Sequence, residues 1–226
     1  MKDIIVAIDG NAATGKSTQS KKIALFLNYK YIDSGAMYRA VTLYAIRNKI
    51  SPKNLSQINL MLSNIKINFN FSNGENKTFL NGEDVEKLIR SKVISNKVSS
   101  YAKVKKIREF LVLKQRELGL NKGIVMDGRD IGTVVFPKAE CKFFFKSDIN
   151  ISANRRYKEI IESGTKVNYK DVFRDVTKRD FSDKRRVHSP LKKAKDSIEV
   201  DVSNKSVDEI FQYLIRIIEK KRKGLN

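Results

Sequence analysis

The chain has 226 residues, with 46 Lys and Arg against 25 Asp and Glu and a formal charge of +21. At about 150 residues per domain that length suits one domain, or one domain carrying an insertion, and 41% hydrophobic with 31% charged residues excludes a disordered chain. No apolar run reaches the ~18 residues that span a bilayer, the single Cys141 leaves no internal disulfide and suits a reducing cytoplasm, and the single His188 excludes a His-rich metal site.

The first element is the apolar run Ile4 to Ile8, which reads as a strand buried on both faces of a parallel sheet. The run is shorter than the ~7–15 apolar residues of a secretory leader, so none is expected. A Gly-containing turn follows, then a helix carrying Ile23, Leu25, Phe26 and Leu27, a short strand from Tyr29 to Asp33, and a helix from Ser34 with Met37, Val41, Tyr44 and Ala45. Residues 65–85 change rhythm. Ile65, Ile67, Phe69 and Phe71 alternate with polar residues, the period-2 mark of a half-exposed strand. Asn73-Gly74 and Asn81-Gly82 supply turns on either side of Thr78-Phe79-Leu80, so a small antiparallel piece is expected as an insertion. From Ser100 to Leu120 one helix is expected, with Val104, Ile107, Leu111 and Leu118 on a stripe. Strands are then predicted at Ile124–Asp127, Cys141–Phe145 and Ile198–Val202, with helices over about 150–163, 169–186 and 206–222. Strand and helix alternating at these lengths predict a five-stranded parallel sheet covered by helices on both faces.

Four groups of residues carry chemistry. Gly10-Asn11-Ala12-Ala13-Thr14-Gly15-Lys16-Ser17 fits G-x-x-x-x-G-K-[ST] between a buried strand and a helix. Such a loop turns backbone N–H groups around an anion at a helix N-terminus, with Lys16 reaching outer phosphates and Ser17 placed to ligate Mg²⁺. A nucleoside triphosphate is therefore expected here. Asp127-Gly128-Arg129-Asp130 follows the third strand, at the sheet end where ligands bind. Gly128 stands where a work-producing ATPase commonly carries a water-positioning glutamate, so ligand recognition is favoured over a solvent-facing Arg129–Asp130 ion pair. Arg39 lies about one and a half turns into its helix, as an anion ligand or a solvated surface arginine. Arg179, Asp183 and Arg186 fall at about 0°, 40° and 340° around a helix, hence on one face. With Arg155 and Arg156 upstream and Ser163-Gly164-Thr165 between, they suit a lid closing over phosphates; the plainer alternative is a surface ion pair.

The charge excess alone suits nucleic acid, small phosphates or no partner. A phosphomonoester has a second pKa of ~6 and arrives already anionic. It needs charge neutralisation and no general base, which matches a sequence rich in crevice arginines. A nucleoside monophosphate acceptor is favoured over a nucleic-acid-stimulated ATPase.

These motifs, together with Leu80-Asn81-Gly82-Glu83-Asp84-Val85, Ile89-Arg90, the run from Asp127 to Pro137 and that from Arg179 to Leu191, resemble the bacterial cytidylate kinases over nearly the whole chain. The resemblance implies a P-loop NTPase three-layer αβα domain, with core residues of about 1–62, 98–150 and 187–226. It also implies an inserted monophosphate-binding subdomain at about 63–97 and a helical lid at about 151–186. It implies γ-phosphoryl transfer from ATP to CMP or dCMP with Mg²⁺ held at Ser17, by a cytoplasmic monomer without membrane or nucleic-acid partner. Gly10 through Thr18 with Arg155 and Arg156 would bind ATP. Ser34, Arg39 and Arg129 would hold the acceptor, Ser99, Arg108 and Asp130 the base, and Arg179 and Asp183 the ribose. Lys16, Arg129, Arg179 and Arg186 would stabilise the transfer. Asn11 stands where the family usually has proline, and Ser152 where a lid arginine is expected. His188 and Cys141 are read as structural.

Overall fold

The computed structural model describes residues 2–72 and 75–224. Its elements run β1 (Ile5–Gly10), α1 (Lys16–Leu27), β2 (Lys30–Asp33), α2 (Ser34–Arg47), α3 (Leu55–Asn64), β3 (Ile67–Ser72), β4 (Glu75–Leu80), β5 (Glu83–Asp84), α4 (Lys92–Tyr101), α5 (Lys105–Leu118), β6 (Ile124–Gly128), β7 (Cys141–Lys146), α6 (Ile149–Glu162), α7 (Tyr169–Arg185), β8 (Ile198–Asp201) and α8 (Val207–Arg222). The five predicted strands form one parallel sheet in the order β2-β6-β1-β7-β8. Every residue of β1 is buried, because successive side chains feed opposite cores. Val6 and Ile8 pack with Ile23, Leu27, Ile210 and Leu214 of α1 and α8. Ile5 and Ala7 pack on the other face with Val112 of α5 and Ile131. Helices thus cover both faces, and the carboxyl ends of β1, β2 and β6 open toward one crevice. Cys141 lies in the first of these cores, where burial pushes its thiol up to about 12 and leaves it inert as a nucleophile.

The small sheet is β3-β4-β5, antiparallel, with Ile67 opposite Leu80 and Leu80 opposite Glu83. The turn at Asn81-Gly82 has both residues left-handed, at φ 50° and 89°, as a two-residue hairpin loop requires. The turn expected at Asn73-Gly74 lies outside the described residues. Leu80, Val85 and Ile89 share an apolar cluster with Met37 and Val41 of α2, so this segment is packed directly on the helix that leaves β2.

Three expectations are corrected. The helix expected over Ser100–Leu120 is two helices. The α4 helix ends at Tyr101, and Val104 is extended at φ −72°, ψ 119° before α5 begins. The Tyr101 hydroxyl donates to the Ile50 carbonyl at 2.8 Å and Val104 packs into the cluster around α2, so the break is held by tertiary contacts. Leu118, expected on the buried stripe, is exposed at the end of α5. Arg186 does not share the helix face of Arg179 and Asp183: α7 closes at Arg185, and Arg186 is extended at φ −63°, ψ 143°.

Candidate active site

The loop between β1 and α1 is shaped by close packing. A Cβ on Gly10 would lie 2.2 Å from the Phe145 carbonyl oxygen of β7. Ala13 and Gly15 take left-handed φ values of 54° and 76°, which bends the chain round into α1. Thr14 Oγ1 donates to the Asn11 carbonyl at 3.0 Å. Lys16 is buried, its Nζ donating to the Asn11 carbonyl and to Thr14 Oγ1 at 3.2 Å. Burial and then the positive charge of Arg129 lower its pKa. Ser17 and Thr18 lie exposed in the first turn of α1.

Ser17 Oγ donates to Asp127 Oδ2 at 3.1 Å, while Tyr31 donates to Asp127 Oδ1 at 2.8 Å. A hydroxyl beside a carboxylate is a hard-oxygen pair suited to Mg²⁺. Sequence reasoning assigned the metal to Ser17 alone and missed Asp127; an acid ending an apolar strand opposite a P-loop serine was the available clue. A Cβ on Gly128 would lie 2.6 Å from Ser34 Oγ and 2.7 Å from Ile131 Cδ1. Ser34 itself donates to the Asp127 carbonyl at 2.7 Å. The ends of β2 and β6 therefore meet too closely for any side chain at 128, the place a water-positioning glutamate would need.

Asp33 closes β2 and caps α2, Oδ1 accepting from the Ala36 amide at 3.0 Å. Its Oδ2 takes Arg90 at 2.7 Å and lies 3.8 Å from Arg39. Against burial, which acts upward, these two guanidiniums hold the carboxyl below its usual range. Arg90 comes from the short turn before α4 and so ties the inserted segment to the crevice; sequence reasoning gave neither Asp33 nor Arg90 a function.

The loop after β6 divides its charges. Arg129 Nε donates to Asp183 Oδ2 at 3.0 Å, and Asp130 pairs with Arg108 and, at 3.5 Å, with Arg186. Arg186 also lies 3.5 Å from Asp183 Oδ1. Asp130, Asp183, Arg108 and Arg186 are all buried, which sets aside a solvent-facing Arg129–Asp130 pair. Arg108 reaches back to the Ala102 carbonyl at 3.1 Å and lies 5.1 Å from the Tyr38 ring centre. Ser99, half-buried on α4, and Arg108, on α5, come from two elements joined by the bend.

The helices α6 and α7 close the crevice. Burial and the charges of Arg129, Arg39 and Arg156 lower the pKa of Arg179, and burial with Arg90, Arg129 and Arg156 lowers that of Arg39. The charges of Arg39, Arg129, Arg156 and Arg179 thus act on one another in one region, with Arg90 acting on Arg39 from the inserted segment. Arg155 does not join them: it donates to the Val202 carbonyl at 2.7 Å, past the end of β8. Arg156 holds Glu159 at 2.8 Å, and Ser152 is buried within α6. Two buried acids went unassigned from sequence. Asp9 accepts from the amides of Ile131 and Gly132 at 2.8 and 2.7 Å, and Asp180 accepts from the Ala12 amide at 2.8 Å.

A family model described as cytidylate kinase matches residues 6–220. A cytidylate kinase of Clostridium botulinum (strain Okra / Type B1) is 43% identical over 220 residues, covering 97% of this chain and 100% of the relative. One of Flavobacterium psychrophilum is 45% identical over 223 residues, covering 96% and 99%. The crystal structure of an uncharacterised protein from Eubacterium ventriosum aligns with a TM-score of 0.52 at 14% identity, covering 97% and 99% of the two chains, a likeness of fold alone. The match spans nearly the whole of both chains, and the chain belongs to the cytidylate kinase family.

Proposed function

We propose that the protein transfers the γ-phosphoryl group of ATP to CMP or dCMP, giving ADP and CDP or dCDP. The observation that carries this reading is that the charges of Arg39, Arg129, Arg156 and Arg179 act on one another in the crevice, and that Arg129 and Arg179 also act on Lys16 of the P-loop. Like charges gathered in a buried place repel one another, and bound phosphates relieve that repulsion. An incoming monophosphate arrives as a dianion and requires no proton to be removed. Arg39 and Arg129 hold it, while Lys16, Arg129, Arg179 and Arg186 offset the charge spread over the transferring group. The backbone amides from Gly10 to Thr18 cradle the donor phosphates, with Arg156 above them.

Asp130 accepts from the cytosine 4-amino group, with Arg108 and Ser99 completing the base site and Ser34 beside it. Arg179 and Asp183 meet the ribose. Ser17 and Asp127 would hold Mg²⁺, whose chemistry there is to neutralise the donor's outer phosphates. In this reading residues of about 63–97 serve the acceptor, residues of about 151–186 close as a lid, and the remainder is the core of a cytoplasmic monomer that uses no nucleic-acid partner. Among the described residues no helix is long and apolar enough to cross a membrane. The test is a panel of nucleoside monophosphates with Mg-ATP and a coupled readout of ADP. CMP and dCMP are expected to turn over well above UMP and AMP; absence of CMP-dependent ADP release at millimolar Mg-ATP refutes the reading.

A further inference from the structure

Asp180 has no part in the scheme above, yet it touches the donor loop directly. It lies on α7 with its carboxylate buried, Oδ1 accepting the Ala12 amide proton at 2.8 Å. Its Oδ2 is also buried and has no hydrogen-bond partner among the described residues. Val172 and Val176, each four residues apart along the same helix stripe, pack against Ala12. The stripe therefore presents two apolar side chains and then an acceptor to a single P-loop residue. That is a seat with both shape and a directed bond. Burial raises the Asp180 carboxyl, opposed by the Ala12 amide and by the charges of Arg129 and Lys16.

The neighbours of Asp180 give the seat its consequence. Arg179 precedes it and stands beside Arg129 and Arg39; Asp183 lies about one turn on and holds Arg129 at 3.0 Å. A helix is stiff over one turn, so wherever Asp180 is pinned, Arg179 and Asp183 are pinned too. We infer that Asp180 is a positioning residue that seats the lid helix on the P-loop through the Ala12 amide, so that a lid resting on the donor loop also presents Arg179 and Asp183 to the acceptor. Donor and acceptor sites are then registered against each other by one buried hydrogen bond. The acceptor half of this inference rests on the proposed function; the seating half does not.

The experiment compares the full-length chain with Asp180→Ala and Asp180→Asn, since asparagine keeps an oxygen for the amide. Removing the acceptor while its buried donor remains is expected to lower kcat for CMP about tenfold and to raise KM for CMP, with Asn restoring most of both. Proteolysis at the 163–168 connection, followed with ATP and no acceptor, is expected to accelerate in the alanine variant and not in the asparagine one. This second readout needs no turnover. An enzyme inactive on CMP whose lid is still loosened by Asp180→Ala would remove the proposed substrate and leave the seat standing. Wild-type kinetics and wild-type protection in Asp180→Ala would overturn the seat, as would an asparagine variant impaired equally with alanine. Should the alanine variant fail to fold, Val176→Ala trims the same seat, and unchanged lid protection there would overturn it as well.

Discussion

Replacing Asp130 separates two consequences of one carboxylate. Its side chain is 6% exposed and bridges Arg108 and Arg186, themselves 3% and 5% exposed. Asp130→Ala leaves two buried guanidiniums facing each other, and breaking a buried pair by removing one partner costs about 3–5 kcal/mol. In a domain of this size each kcal/mol is worth roughly 2–4 °C, so the melting temperature is expected to fall by roughly 6–20 °C. Asp130→Asn keeps one oxygen for Arg108 and is expected to lose less. Catalysis should shift with a different sign for each base. CMP loses its acceptor for the 4-amino group, while UMP is freed from a carboxylate opposing its 4-carbonyl. One buried hydrogen bond of about 1–3 kcal/mol predicts that the CMP-to-UMP ratio of kcat/KM narrows by roughly 5- to 150-fold. Thermal unfolding by circular dichroism and coupled assays with both acceptors measure the two effects independently. An alanine variant melting within about 2 °C of wild type would refute the buried-bridge reasoning, and an unchanged selectivity ratio would refute the base assignment.

Gly10→Ala puts a Cβ 2.2 Å from a backbone carbonyl of β7, which cannot rotate away. The loop must distort, so ATP affinity should fall sharply along with stability; equilibrium dialysis with ATP and a melting curve check it, and wild-type values in both would count against the packing argument. Burial pushes the Asp9 carboxyl up to about 7, opposed by the Gly132 and Ile131 amides, from an unfolded value near 3.8. Between those values the folded chain holds the extra proton, so wild type should lose stability relative to Asp9→Asn as pH rises from about 4 to 7, and then level off; parallel urea midpoints at pH 5 and 8 would contradict this. Arg156→Ala is expected to cut kcat about tenfold with little change in melting temperature, because its ion pair with Glu159 is exposed while its charge reaches Arg39 and Arg179 in the crevice. Arg155→Ala should instead lower the melting temperature, having lost a bond to the Val202 carbonyl, and identical behaviour of the two variants would show that their directions were misread.

Much of the architecture was open to reading because local physics settles it. Apolar runs such as Ile4 to Ile8 and Ile124 to Met126 are buried between two helical layers, and the five strands read from the sequence are the five of the parallel sheet. The P-loop was legible because its glycines answer a backbone demand: Gly10 abuts Phe145, and Gly15 must be left-handed. The bend at residues 102–104 was not, because periodicity continues across it, and what stops the helix is Tyr101 reaching Ile50 and Val104 entering a distant cluster.

Adjacent residues show the same limit most sharply. Arg155 and Arg156 are chemically identical and differ by about 100° around α6; only the way that helix packs takes one to the Val202 carbonyl and leaves the other paired with Glu159, its charge reaching Arg39 and Arg179. Asp9 meets Ile131 across 122 residues and Asp180 meets Ala12 across 168. By itself the order of residues determined the sheet, the anion loop and the kinds of charge available for phosphate. Which arginine faces the crevice, and which acid holds which amide, was decided by packing, since a side chain's direction depends on the rotation of its whole element against neighbours far away in the chain.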